Sequence, residues 1–296
     1  MEQCTQLNQR RVEQIVTAHY QREGGGFMVR RPIPTRDLPL MDPFLLLDEL
    51  GPVVYAPGEA LGAPDHPHCG FETVTYLLQG EIDHKDSAGH VGRLEAGDVQ
   101  WMTAGSGVVH SEMPTQQLLQ EGGAMHGFQI WVNLPAALKM SVPRYQEIAR
   151  ARIPQASSED ELAHVVVIAG RALGVEAVID THISIHYQDW TLKPGADVAT
   201  EVDLEHNVGV YVFSGQIKAG CDLQHIKAGQ FAVLREGSVV RLTVVSEAST
   251  EARLLLLAGL PVNEPVARYG PFVMSTEEEL QRAVLDYQSG RMGQIS

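Results

Sequence analysis

Two stretches of this 296-residue chain repeat one pattern at nearly one spacing. Thr75-Tyr76-Leu77-Leu78-Gln79-Gly80-Glu81-Ile82 is matched 135 residues later by Val210-Tyr211-Val212-Phe213-Ser214-Gly215-Gln216-Ile217. Glu95-Ala96-Gly97-Asp98-Val99-Gln100 is matched 132 residues later by Lys227-Ala228-Gly229-Gln230-Phe231-Ala232. Self-similarity at a fixed offset points to a duplicated unit. Both copies are runs of β-branched, aromatic and aliphatic residues broken by glycine, which is how strands and turns read. Strand signals begin near Phe27-Met28-Val29 and recur at Phe44 to Leu47, Glu72 to Leu78, Val99 to Met102 and Gly127 to Val132, and a second series runs from Val165 to Leu260. The expectation is all-β, with residues 1–137 and 162–296 each forming a barrel or sandwich. Residues 138–161, interrupted by Pro143, Pro154 and Ser157-Ser158, read as a linker.

One helix stands out at the end. Ser275 or Thr276 can cap it, Glu277-Glu278-Glu279 fill its first turn, and Leu280, Val284 and Tyr287 share a face up to Gly290. A shorter helix is expected from Ser158, with Glu161 three residues on. The 22 Lys+Arg against 37 Asp+Glu give a formal charge of −15, and no basic stripe offsets it, so direct nucleic-acid binding is not expected. Cys4, Cys69 and Cys221 are far apart and form no CxxC pair, so a disulfide framework is not expected and a reducing compartment is the simplest setting. Met1 to Tyr20 lacks an apolar core and the longest apolar run is Leu254 to Leu260, so neither a leader nor a membrane span is expected. A cytoplasmic protein follows.

The residues that carry chemistry are His66-Pro67-His68 and His110-Ser111-Glu112. In an extended chain residues i and i+2 point the same way, so each tripeptide offers two ligands in one direction. Pro67 fixes its own φ and biases His66 towards extended backbone, which stiffens the first pair. If the two segments are neighbours, three imidazoles and a carboxylate meet at one point. That donor set suits iron, manganese, nickel, copper or zinc, either octahedral with open positions or tetrahedral and closed. An HxH alone is more often packing than ligand; the HxE some forty residues later carries the weight.

These residues resemble the two cupin motifs: His66-x-His68-x-x-x-Glu72 with Gly80, then Gly97-Asp98, Gly105 and His110, although Thr103 stands where many cupins have proline. The resemblance narrows to the pirin family. His66-Pro67-His68, Gly70 to Leu78, Asp98 with Gln100 to Gly105, His110 to Pro114, Trp131 to Pro135 and Tyr269 to Met274 are all similar to pirin motifs. It covers nearly the whole chain from about Phe27.

The resemblance implies two tandem cupin (jelly-roll) β-barrels with a C-terminal α-helix. It further implies a metal, Fe(II) foremost and Mn, Ni, Cu or Zn otherwise, in the first barrel on His66, His68, His110 and Glu112, with Glu72 as an alternative or supporting ligand. Cys69 departs from the family, standing where a basic residue is frequent. It is either a neutral replacement or a redox-sensitive thiol at the mouth. In the second barrel the repeat puts Glu201 and Asp203 at the positions of His66 and His68, Arg241-Leu242 lies near that of His110, and His206 reads as a surface residue. Trp101, Met102 and Phe71 are candidate pocket walls, and His126 a packed strand histidine.

Two functions are open to such a chain. One is a metal-dependent dioxygenase that cleaves a flavonol such as quercetin with O2 and releases CO, with Glu112 as base. The other is a metal- or redox-sensing regulator of a protein partner, a transcription factor or a metabolic enzyme, without a flavonol substrate. The acidic surface favours a basic protein partner, and a monomer is expected because a second barrel can cover the face that single-barrel cupins bury by dimerising.

Overall fold

The repeat becomes structure at its glycines. In a computed structural model, which describes residues 8–295, Thr75 lies in the strand Phe71–Gln79, which ends at Gly80 (φ 88°) and leads into the strand Ile82–Asp86. The later copy runs through the strand Asn207–Ser214, Gly215 (φ 70°) and the strand Gln216–Ala219. A left-handed residue at this turn is open to glycine at little cost and to L side chains only with strain, so the two copies share both turn and register.

The strand patterns close into two units. In the first, a seven-stranded antiparallel sheet runs Arg144–Ile148, Val99–Thr103, Phe71–Gln79, Gly123–Asn133, Phe44–Tyr55, Phe27–Ile33, His19–Glu23. A four-stranded sheet runs Ala63–His68, Val108–Pro114, Ile82–Asp86, Val91–Leu94. The second unit repeats both sheets in the same order, Arg11–Thr17, Gln230–Arg235, Asn207–Ser214, Ala252–Gly259, Ile185–Leu192, Ala163–Ala169, Gln155–Ser157 and then Asp197–Glu201, Val239–Thr243, Gln216–Ala219, Gln224–Lys227. The ladders align the two residue by residue. Val74 faces Ile130, which faces Leu47; Gly209, 135 positions after Val74, faces Leu257, which faces Tyr187.

The units are not consecutive halves of the chain, which corrects the boundaries 1–137, 138–161 and 162–296. The first comprises residues 20–34, 44–151 and 262–296, and the second residues 8–19, 35–43 and 152–261. Strand pairing and apolar burial decide the exchange. The strand Arg11–Thr17 pairs with Gln230–Arg235 in the second unit, and Arg144–Ile148, inside the expected linker, pairs with Val99–Thr103 in the first. The helix Glu277–Gln288 starts with the expected capping box between Thr276 and Glu279. It buries Leu280 and Ala283 against Cys69, Val109, Phe272 and Met274 of the first unit. No helix forms at Ser158, where the Ser158 hydroxyl and the Asp160 carboxylate hold a tight turn instead. Among the described residues no helix is long and apolar enough to cross a membrane.

Lys139 ties the first unit together. It is 2% exposed, and its ammonium donates to the Gly70 carbonyl (2.9 Å), Asn133 Oδ1 (2.7 Å) and the Val273 carbonyl (3.2 Å). An ammonium has three protons, and here each meets an oxygen. Gly70 is glycine because a Cβ there would stand 2.0 Å from the Val273 carbonyl. In the Lys139→Met chain three buried acceptors lose their donor, at a cost of about 3 kcal/mol, on the order of 1 kcal/mol each. Urea denaturation should show a lower midpoint at unchanged slope.

Candidate metal centre

The ladder between Ala63–His68 and Val108–Pro114 sets His66 opposite His110 and His68 opposite Val108. Alternation then turns all three imidazoles to one side, and their nearest ring nitrogens lie within 4.8 Å of one another. His66 is half-buried, His68 is 3% exposed and His110 is fully buried. His66 Nδ1 sits 2.7 Å from the Pro64 carbonyl, so Nδ1 carries the proton and Nε2 keeps its lone pair. His66 Nε2 is 3.1 Å from His68 Nε2. Two ligands about 2.1 Å from one ion and at right angles to each other would stand about 3 Å apart. Burial, with the neighbouring imidazoles next in order, pushes His68 and His110 well below the ordinary histidine value. Both are therefore neutral at pH 7, the form that binds a metal.

The residues fit a divalent ion. Neither ring nitrogen of His110 has a hydrogen-bond partner in the protein, although the residue is fully buried. Such a group costs on the order of 1–3 kcal/mol if left so. An ion bound at the three imidazoles would remove the cost at one nitrogen and draw the converging lone pairs together.

Glu112 stands apart from this group. Against Ala63–His68 the register slips between His110 and Glu112, setting Glu112 opposite Ala63, but against Ile82–Asp86 it runs unbroken, so Glu112 keeps the alternation. Its Oε1 lies 2.8 Å from Thr75 Oγ1, which is also 2.6 Å from the side-chain amide of Gln129. The single hydroxyl proton goes to the carboxylate, the stronger acceptor. Glu72 is fully buried, is not in the imidazole group, and accepts from Thr103 Oγ1 at 2.7 Å on the neighbouring strand.

His66 and His68 border a cavity of about 690 Å3 in the first unit, whose wall also includes Glu112, Thr75 and Gln129, while His110 lies behind them. Its apolar side is built from Phe27, Met28, Leu50, Leu77, Met125 and Trp131. Phe71, Trp101 and Met102 are not in the wall; all three are core, at most 1% exposed. His126 is a strand histidine as expected, 3.0 Å from Glu49 Oε1. Sequence reasoning missed Arg268, whose guanidinium lies over the Trp131 ring, 4.7 Å from its centroid. At the polar end Arg31 holds Asp48 through two bonds of 2.6 and 2.5 Å.

The cysteines depart from expectation in two ways. Cys69 does not open onto the mouth: it is 1% exposed, its thiol faces the Gly105 carbonyl at 3.3 Å, and burial pushes its pKa up to about 11. It is the neutral packing residue of the two alternatives. Cys221 is disulfide-bonded, against the expectation of no disulfide, and Cys4 lies outside the described residues. His206, read from sequence as surface, is 4% exposed.

Comparison with known proteins decides the family. The family model described as pirin matches residues 26–132, and that described as the pirin C-terminal cupin domain matches residues 187–293. A pirin-like protein from Solanum lycopersicum is 42% identical over 285 residues, covering 96% of this chain and 93% of the relative. This chain belongs to the pirin family. The pirin of Homo sapiens is 40% identical over 287 residues, covering 96% and 94%. The crystal structure of a quercetin 2,3-dioxygenase from Acinetobacter baumannii superposes with a TM-score of 0.89 at 35% identity, covering 97% of this chain and 99% of that one. The fold is thus the bicupin that the sequence resemblance implies.

Two results are expected. Metal analysis of purified His110→Ala protein should show the metal of this centre lost while the melting curve stays cooperative; unchanged metal content would remove His110 from the centre. Iodoacetamide at pH 8 should leave the Cys69 peptide unmodified in the folded chain, since a pKa of about 11 leaves on the order of one thiolate in a thousand. Mass spectrometry should find it alkylated once urea is added.

Proposed function

We propose that this pirin is a metal-dependent dioxygenase that opens the central ring of a flavonol such as quercetin with O2 and releases CO. The observation that carries the reading is the convergence of three imidazoles, two of which, His66 and His68, stand in the wall of a largely apolar cavity of about 690 Å3. Likeness to a solved quercetin 2,3-dioxygenase supports it. His66, His68 and His110 would hold the ion, Fe(II) being our choice and Mn, Ni, Cu or Zn the alternatives. Glu112 would complete the set or stay free as base. When bound, the ion supplies Lewis acidity that lowers the pKa of the flavonol 3-hydroxyl and open positions for oxygen.

The remaining work belongs to side chains. The Glu112 carboxylate accepts the 3-hydroxyl proton, and Thr75 holds that carboxylate at the cavity wall until it does. Phe27, Met28, Leu50 and Trp131 exclude water from the planar rings. Arg268, held over Trp131, offers its charge to a substrate oxygen that carries negative charge.

The test is iron-loaded protein in air with quercetin, followed by loss of the flavonol spectrum and by CO release. Turnover with CO is the expected result. Iron-loaded protein without turnover overturns the reading and favours the regulator of a protein partner. In active protein, Glu112→Gln should lower kcat by about 100-fold or more, with iron content measured beside it to separate loss of the base from loss of the metal.

A further inference from the structure

The second unit keeps the scaffold of the first but not its ligands, and the ladder alignment shows what replaced them. Asp203 stands 135 positions after His68 and His206 stands 135 after Phe71, whose ring lies 5.2 Å from that of His68. On the neighbouring strand, where Tyr187 corresponds to Leu47, His186 takes the position of Leu46, a residue of the cavity wall. His186 shares strand parity with Trp190 and Leu192, both in the core of this unit, and His206, in the turn just before the strand Asn207–Ser214, is itself buried. Both imidazoles therefore turn towards the interior at the end where the first unit has its centre.

The geometry there is that of a ligand set. His186 Nε2 is 3.8 Å and His206 Nε2 3.5 Å from Asp203 Oδ2, and the three ligand atoms lie within 4.8 Å of one another. The imidazoles are 3% and 4% exposed, while the Asp203 side chain is half-exposed, leaving a path from solvent. The buried His206 Nδ1 has no hydrogen-bond partner, so within the protein only Nε2, which faces Asp203, is accounted for. Two ligands about 2.1 Å from a tetrahedral ion stand about 3.4 Å apart, wider than the right-angled spacing of the first centre and close to the two carboxylate distances here.

We infer that His186, Asp203 and His206 form a second divalent-cation site, with zinc as the best-fitting ion and one coordination position open to solvent. The turn that presents Asp203 is fixed by Arg10, whose guanidinium donates to the carbonyls of Asp203 (3.0 Å) and Leu204 (3.2 Å). Arg171 Nη2, 3.6 Å from Asp203 Oδ1 on a largely exposed side chain, competes for the carboxylate. With those two cations near, binding is expected in the micromolar range rather than tighter.

The test uses the full chain with the first centre disabled by His66→Ala and His68→Ala, dialysed against zinc chloride and analysed for metal. About one zinc per chain should remain, falling to none when His206→Ala is added and weakening at least about 10-fold with Asp203→Asn, as loss of a ligand must exceed the loss of an outer-sphere partner. Cobalt(II) in the same chain should give the strong visible absorption of a four-coordinate ion, lost with His206→Ala. Failure of the disabled chain to retain zinc overturns the inference. So does zinc held equally well by the His206→Ala and Asp203→Asn chains, because the ion then sits elsewhere. Should His206→Ala not melt cooperatively, the Asp203→Asn chain, altered at a half-exposed residue, decides.

Discussion

One buried ammonium organises the first unit. Lys139 spends its charge on two carbonyls and an amide oxygen drawn from three distant parts of the chain. Placing a charge in the interior is costly unless every proton finds an acceptor, and this condition fixes where Gly70, Asn133 and Val273 must stand. Gly70 follows His68 by two residues, so the clamp also sets the end of the ligand strand. The precision of the imidazole group thus rests on a cation that never touches it.

The imidazoles themselves were legible because they obey a local rule, alternation along a strand, and because two such pairs recur. Glu112 obeys the same rule in sequence, yet stands apart. The Thr75 hydroxyl that holds it is a long-range fact that spacing does not contain. Lys139 was hidden within a stretch read as linker, since its partners are as much as 134 residues away. Arg11–Thr17 reads as polar because it is an edge strand with one buried residue, and nothing local says which sheet it joins. His206 sits between polar neighbours and looked superficial, although the turn that carries it folds inward and buries it. Glycine placement, by contrast, was read correctly from sequence, because a left-handed turn is decided by a single residue.

The two units show how one scaffold is made hollow or solid. Where the first has Leu50 in the cavity wall, the aligned position of the second holds Trp190, fully buried. Thr75 and Gln129, which face the cavity and hold Glu112, give way to Val210 and Leu256. Exchange of polar for apolar groups at matched positions turns a cavity wall into core, with no change in strand order. Chemistry here is a property of side chains on a shared frame.

The crossing of chain segments between the units has a consequence for synthesis. A chain emerges from the ribosome N-terminus first, at roughly 5–20 residues per second. The HPH segment is among the earliest parts made, but Val273, which Lys139 binds and whose N–H donates to the Cys69 carbonyl at 3.0 Å, is among the last. The nascent first unit is therefore a sheet with an unclamped ligand strand until the C-terminal residues arrive. Seating of the three imidazoles in their final geometry is a post-translational event, and a chain truncated before Val273 would carry His66, His68 and His110 yet lack the clamp that seats them.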